Sequence, residues 1–223
     1  MRGRVALALA LTLVLPATGC GGGSSSSNGE AAKSGAQVYN DAKEAATGAS
    51  SVHISGAFKD ASETVKLDLV LGAVAAKGFM AQDSARADIA RVGNIAYMRA
   101  STDFWRTFAG AAAAQALHDK WLKGSATKQP FSAFAQFMSI NALLSAAFKG
   151  HGKLTNLGER TYKGQKVVAI KDAKDGSIVY VAATGKPYVV ATTGGGTISF
   201  TDWNKQVSIT APAGAVDISS LSP

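Results

Sequence analysis

Period-two alternation of apolar and polar residues dominates the middle of the chain. Val52, Ile54 and Phe58 alternate with His53, Ser55 and Lys59, and Val65, Leu67, Leu69 and Leu71 alternate with Lys66 and Asp68. Alternation of this kind sends successive side chains to opposite faces of a half-buried strand. Segments 77–82, 85–92 and 95–100 continue the series, and Gly93-Asn94 between the last two is a hairpin signal. In the last third, segments 154–162, 165–171, 177–183, 188–193, 197–203 and 206–210 are separated by turn sequences such as Lys163-Gly164, Asp175-Gly176 and Gly194-Gly195-Gly196. Connections this short admit only antiparallel pairing of neighbours, because parallel pairing needs a long crossover.

Three stretches carry helical spacing instead. Residues 30–47 are Ala-rich, with Val38, Ala42, Ala45 and Ala46 on one side and Gly48 as a stop, which predicts a helix with a thin apolar face. Residues 103–120 open with Phe104, Trp105 and Phe108 and run into Gly110-Ala111-Ala112-Ala113-Ala114; Trp121-Leu122-Lys123 reads as a brief extended piece. Pro130 suits a helix start, and 131–149 carries Phe131, Phe134, Phe137, Met138, Ile140, Leu143, Leu144 and Phe148 before Gly150. As one continuous helix, these side chains cover well over half the circumference, whereas a helix resting on one sheet needs a stripe of only about 100°. The excess faces a second helix, such as 103–120, or a cavity. A sheet face bearing Val65, Leu67, Leu69, Leu71, Ile95 and Tyr97 likewise fits either plain core or the wall of a lipid cavity, and the pattern does not separate the two. Two strand runs flanking a helical pair give an α+β class, with about eleven strands in an antiparallel sheet curled by its own twist and about three helices against one face.

The first twenty residues read differently. Arg2 and Arg4 precede an apolar run, Val5 to Leu15, and Pro16-Ala17-Thr18-Gly19-Cys20 closes it with small residues, the layout of a secretory signal. A run of eleven residues, interrupted only by Thr12, is too short to span a bilayer, which needs roughly twenty. Ala17-Thr18-Gly19-Cys20 resembles a bacterial lipobox, whose cysteine is lipid-modified and becomes the mature N-terminus. Residues 21–29 are rich in Gly and Ser and read as a flexible tether. The organisation expected is a signal peptide over 1–19, a lipidated Cys20 with a tether over 20–30, and one domain over 31–223. The protein would be exported and held on the outer face of the cell membrane through Cys20, where two or more acyl chains give a stable anchor.

Composition narrows the functional classes. Cys20 is the only cysteine, so disulfides, cysteine metal sites and thiol catalysis are excluded from the domain. Loss of Arg2 and Arg4 lowers the side-chain charge from +8 to +6, spread as scattered Lys without a block of like charge. A diffuse positive field suits an anionic membrane or cell wall and serves solubility equally well. No basic stretch with interleaved aromatics points to nucleic acid. A monomer is expected.

Catalytic motifs are sparse. Ser125-Ala126-Thr127-Lys128 matches the Ser-x-x-Lys of penicillin-binding enzymes, but the companion Ser-Asp-Asn and Lys-Thr-Gly elements are missing. His53, His118 and His151 lack a second ligand at metal-binding spacing, and Asp172 to Gly176 reads as a turn rather than a calcium loop. The reading is a non-enzyme without cofactor or metal.

Thr197-Ile198-Ser199-Phe200-Thr201-Asp202-Trp203-Asn204-Lys205-Gln206-Val207-Ser208-Ile209-Thr210-Ala211-Pro212 resembles the closing strands of the LppX/LprG family of mycobacterial lipoproteins. Gly93-Asn94-Ile95-Ala96-Tyr97, Trp105, Lys120-Trp121 and Tyr162-Lys163-Gly164-Gln165-Lys166-Val167 fall where that family has comparable elements, and the strand–helix–strand plan also resembles the LolA-type lipoprotein carriers. The resemblance implies a strongly curved antiparallel half-barrel with helices over its concave side. It further implies an apolar cavity between the layers for the acyl chains of a lipid or glycolipid in transit, with an envelope transporter as a possible partner. The candidate cavity-lining residues are Trp105 and Phe108 from one helix and Phe134, Phe137, Met138, Ile140, Leu144 and Phe148 from the next. The competing reading is the same fold with a filled core, acting as a surface scaffold or partner-binding lipoprotein.

Overall fold

The computed structural model describes residues 26–60 and 62–219. The signal peptide, Cys20 and most of the tether lie outside the described residues.

Two antiparallel meanders join into one open, curved sheet of twelve strands. The first comprises β1 (Ser51–Asp60), β2 (Glu63–Gly72), β3 (Ala75–Gln82), β4 (Ala85–Val92) and β5 (Ile95–Ala100), and helix α2 (Thr102–Leu117) leads on to β6 (Leu122–Ser125) beside β5. The second comprises β7 (Leu154–Tyr162), β8 (Gln165–Asp172), β9 (Ile178–Ala182), β10 (Val189–Thr193) and β11 (Gly196–Thr201), and β11 pairs antiparallel with β1. The strand order is β12-β6-β5-β4-β3-β2-β1-β11-β10-β9-β8-β7, where β12 (Val216–Asp217) is a short parallel addition to β6. The class is therefore the expected α+β half-barrel, with twelve strands rather than about eleven.

Register explains why one face of this sheet is core. Leu69 pairs with Ile54 on one side and Gly78 on the other, and Leu71 pairs with Val52 and Ala76. Leu69 and Leu71 are fully buried, each contributing about 1.5–3 kcal/mol relative to exposure. Gly56 (φ 148°) and Gly78 (φ 155°) lie on this same face, and a Cβ at either would strike the neighbouring strand's carbonyl, at Thr197 and Asp68 respectively. These two positions let β1 and β3 bend where the sheet coils.

Helices cover the concave face in two groups. Helix α1 (Gly35–Thr47) starts at Ser34, whose side chain and that of Gln37 form a capping box. It buries Val38, Ala42 and Ala46 against β7, β8 and α3 (Ile140–Ala147). Just before it, Lys33 donates to Asp41 (2.6 Å) and Glu30 (2.8 Å), and these bonds raise the Lys33 pKa above its ordinary 10.5. Over the other half lie α2 and a 3-10 helix, Phe131–Met138. Arg91 of β4 donates from Nε to the Met138 carbonyl (3.0 Å), fixing this 3-10 helix to the sheet.

Four sequence expectations change here. The stretch 131–149 is not one helix: Ser139 is extended (φ −121°, ψ 117°) and caps α3 by accepting the Ala142 N–H, so two short helices replace the long one. Its apolar residues therefore divide between two axes rather than encircle one. The helix expected over 103–120 breaks at Gly110 (φ 84°) and ends at Leu117. Residues 206–210 form no strand, because β11 already has β1 and β10 on its two sides and leaves no edge for a hairpin partner. Instead they run as an extended strap that passes Gly72 at Val207 and ends at β12; Val207 and Ile209 are half-buried while Gln206 and Ser208 are exposed. Finally, Ile95 and Tyr97 lie on the opposite face from Leu69, since Met98, not Tyr97, is level with Ile89 and Gly78.

Candidate functional site

The cavity lies over the end of β1 and β2 next to their connecting hairpin and over the adjoining part of β3 and β4. Phe58 pairs with Val65 on the concave face, and Val65 pairs onward with Gln82, which pairs with Ala85. Ala85 and Ala87 on β4 are too small to reach the helices above them. A cavity of about 510 Å³ remains between this part of the sheet and the α2/3-10 pair. Its apolar wall comes from Phe58, Val65, Met80, Ala87 and Ile89 of the sheet. Its roof is Phe104 and Phe108 of α2 with Phe134 and Phe137 of the 3-10 helix.

The roof is held together by aromatic contacts. The Phe104 ring lies 4.6 Å from Phe108 and 6.2 Å from Phe134, within the range of favourable ring pairs. A 3-10 helix has three residues per turn, so Phe131, Phe134 and Phe137 share one ridge. Phe131 anchors that ridge by packing on Gly124 of β6, and the two following rings reach the cavity.

Carboxylates line the open end. Asp60 and Glu63 are Cα partners across the β1–β2 hairpin and face the cavity, Asp83 stands in the β3–β4 turn, and Asp103 opens α2. Asp103 is paired with Arg106 at 2.6 Å. Asp60, Glu63 and Asp83 have no ion-pair partner among the described residues, and no Lys or Arg lines the cavity.

Of the sequence candidates, Phe108, Phe134 and Phe137 line this cavity; Phe108 is 68% exposed at its mouth. Trp105, Met138, Ile140 and Leu144 are buried in the core away from it, and Phe148 packs edge-on against Tyr39 at 5.3 Å. For Ile140, Leu144 and Phe148 the break at Ser139 is the reason, since it turns α3 toward α1 and leaves only the 3-10 segment over the cavity. Missed from the sequence were Phe58, Met80, Ala87 and Ile89 of the wall and the whole acidic rim. A signal existed for the rim, because Asp60 continues the inward set of β1 and Glu63 that of β2.

The remaining motifs stand elsewhere. Ser125 Oγ bonds Thr127 Oγ1 at 3.0 Å. His53 lies on the convex face with Nε2 2.9 Å from Asp68, while His118 contacts Asp119 and His151 bonds its neighbour Gly152. Among the described residues no three His, Cys, Asp or Glu side chains gather as a metal site, and no helix is long and apolar enough to cross a membrane.

Neither a family model nor a curated protein sequence matches the chain. Solved structures do resemble it. The lipoprotein LppX of Mycobacterium tuberculosis is 18% identical, with 78% of this chain and 97% of that one covered at a TM-score of 0.46. LprF of Mycobacterium bovis is 16% identical, with 85% and 100% covered at a TM-score of 0.49. MucB is 15% identical, with 81% and 60% covered at a TM-score of 0.37.

Proposed function

We propose that this protein is an exported lipoprotein, anchored through Cys20 to the outer face of the cell membrane, that binds and carries the acyl portion of a lipid or glycolipid without catalysing a reaction on it. The observation that carries this reading is the apolar cavity of about 510 Å³ between β1–β4 and the α2/3-10 roof. That volume lies inside the roughly 300–1,000 Å³ range of small-molecule pockets. An apolar chain entering it is driven by burial worth about 0.8 kcal/mol per methylene. The open cavity beside Phe137 supports a carrier over a filled scaffold, because its apolar wall is left uncovered by the protein's own side chains. In size it suits one acyl chain rather than three. The lipobox-like Ala17-Thr18-Gly19-Cys20 and the Gly/Ser tether supply the anchor.

The test is native mass spectrometry with lipid extraction on the full chain carrying Cys20→Ser, produced in a lipid-rich bacterial host. A stoichiometric mass excess that extracts into organic solvent is expected. A bare polypeptide mass that persists after incubation with envelope lipids overturns the carrier reading.

A further inference from the structure

The cavity's lining divides sharply by chemistry, and the division points to the kind of headgroup its ligand bears. Along β2 the concave positions read Leu71, Leu69, Leu67, Val65 and then Glu63; along β1 they read Val52, Ile54, Gly56, Phe58 and then Asp60. Each apolar stripe ends in a carboxylate, and the register sets these two carboxylates directly opposite one another. Directly opposed like charges in a strand pair repel. A sheet relieves that repulsion with a nearby cation, yet neither residue has one among the described residues, and Asp83 across the mouth adds a third unpaired carboxylate. Lys59, the neighbour of Asp60, alternates to the other face of β1. All this occurs in a chain whose formal net charge is +8, so the acidic mouth is local and runs against the overall balance.

We infer that the cavity selects amphiphiles whose headgroup is cationic or an uncharged hydrogen-bond donor, such as an amine or a sugar, and disfavours anionic headgroups. The inference rests on the carrier reading above and specifies its ligand. An acyl chain seated against Phe58, Met80 and Phe137 places its head at the open end, within reach of Asp60, Glu63 and Asp83. There a hydroxyl or ammonium donates to carboxylate oxygens, making charge-assisted hydrogen bonds. A carboxylate, sulfate or phosphate meets three like charges and finds no donor side chain of Lys or Arg in the lining.

The experiment compares single-chain amphiphiles of equal chain length below their micelle thresholds: dodecylamine, dodecyl maltoside and dodecyl sulfate. Each displaces Nile red from the full chain carrying Cys20→Ser. Dodecylamine and dodecyl maltoside are expected to bind about tenfold more tightly than dodecyl sulfate at low salt. For dodecylamine, the margin should shrink in high salt. Asp60→Asn/Glu63→Gln, on an exposed hairpin that tolerates both amides, should bring dodecyl sulfate toward the other two without weakening dodecyl maltoside by a comparable factor. Equal affinities for all three in the wild-type chain overturn the headgroup inference and leave the carrier reading standing. If none of the three displaces the dye or binds by calorimetry, both fall.

Discussion

The ring of Phe131 occupies the space where a Cβ on Gly124 would sit, with the ring carbon Cε2 only 2.6 Å from that position. Phe131 is 2% exposed and begins the 3-10 helix that roofs the cavity, so this contact ties the roof to β6. Gly124→Ala forces the ring to move in a filled core and is expected to cost about 1–3 kcal/mol. Phe131→Ala should cost about 3–5 kcal/mol. Urea unfolding of the two variants checks both values; an unperturbed midpoint for Gly124→Ala would show that the roof is not seated on β6.

Filling the cavity separates binding from folding. Ala87 lies under the roof on β4 and lines the cavity, so Ala87→Phe directs a ring into that space. Retained lipid should fall at least tenfold while the melting temperature stays near that of the wild type. Phe108→Ser is the complementary change at the mouth, where the exposed ring contributes little to the core. It should weaken acyl binding severalfold and cost no more than about 1.5 kcal/mol, the worth of its ring pair with Phe104. Unchanged lipid content in Ala87→Phe would place the ligand elsewhere.

Trp105 offers a test of an unsatisfied group. Its indole is 6% exposed, and Nε1–H has no acceptor among the described residues. An orphaned buried donor costs about 1–3 kcal/mol, which offsets part of what the ring gains by packing. Trp105→Phe removes the donor along with some volume, and the two effects oppose, so stability should stay within about 1 kcal/mol of wild type. Trp105→Ala leaves a large hole and should cost about 3–5 kcal/mol. Thermal melts of both variants distinguish a packing role, where only the alanine is damaging, from one in which the indole N–H itself matters.

The strands with clean alternation were legible because the period-two signal and the buried face coincide, as at Leu67, Leu69 and Leu71 of β2. The break at Ser139 was hidden by its neighbours, since Met138 and Ile140 are apolar on either side and a serine between them reads as a tolerated interruption. Its role as the cap of α3 is nonetheless a local chemical signal. Gln206 to Thr210 alternates like a strand for a different reason: one side of an extended strap touches the sheet while the other meets water. Periodicity reports which side is covered, not whether a backbone partner exists. The cavity was the least legible feature. It depends on what Ala85 and Ala87 fail to fill, and missing volume leaves no mark in a polar–apolar pattern. The sequence pattern sets the whole apolar run from Phe134 to Phe148 along one helix; in the structure Phe134 and Phe137 lie against the cavity, and the turn at Ser139 carries Ile140, Leu144 and Phe148 toward α1.

The strap gives a pH-dependent prediction. It is preceded by the turn at Asp202, which accepts from Lys205 at 2.6 Å, and it ends in β12, where Asp217 accepts the Ser219 N–H at 2.9 Å. The Lys205 ammonium holds the Asp202 carboxyl below its ordinary 3.8, and the Ser219 amide does the same for Asp217. Both carboxylates have a lower pKa folded than unfolded. Their stabilisation is thus fully present above 3.8 and fades as pH falls through the folded values. Asp202 has a positive φ of 54°, a conformation asparagine also tolerates, so Asp202→Asn removes the charge without straining the backbone. The variant should melt below wild type at pH 6, and the gap should close as pH falls through the lowered folded pKa, where the wild-type carboxyl is itself protonated. Adding salt at pH 6 should narrow the gap too, because Asp202 and Lys205 are solvent-exposed. A gap that stays constant across this pH range would mean that Asp202 holds the strap through its hydrogen-bonding shape rather than its charge.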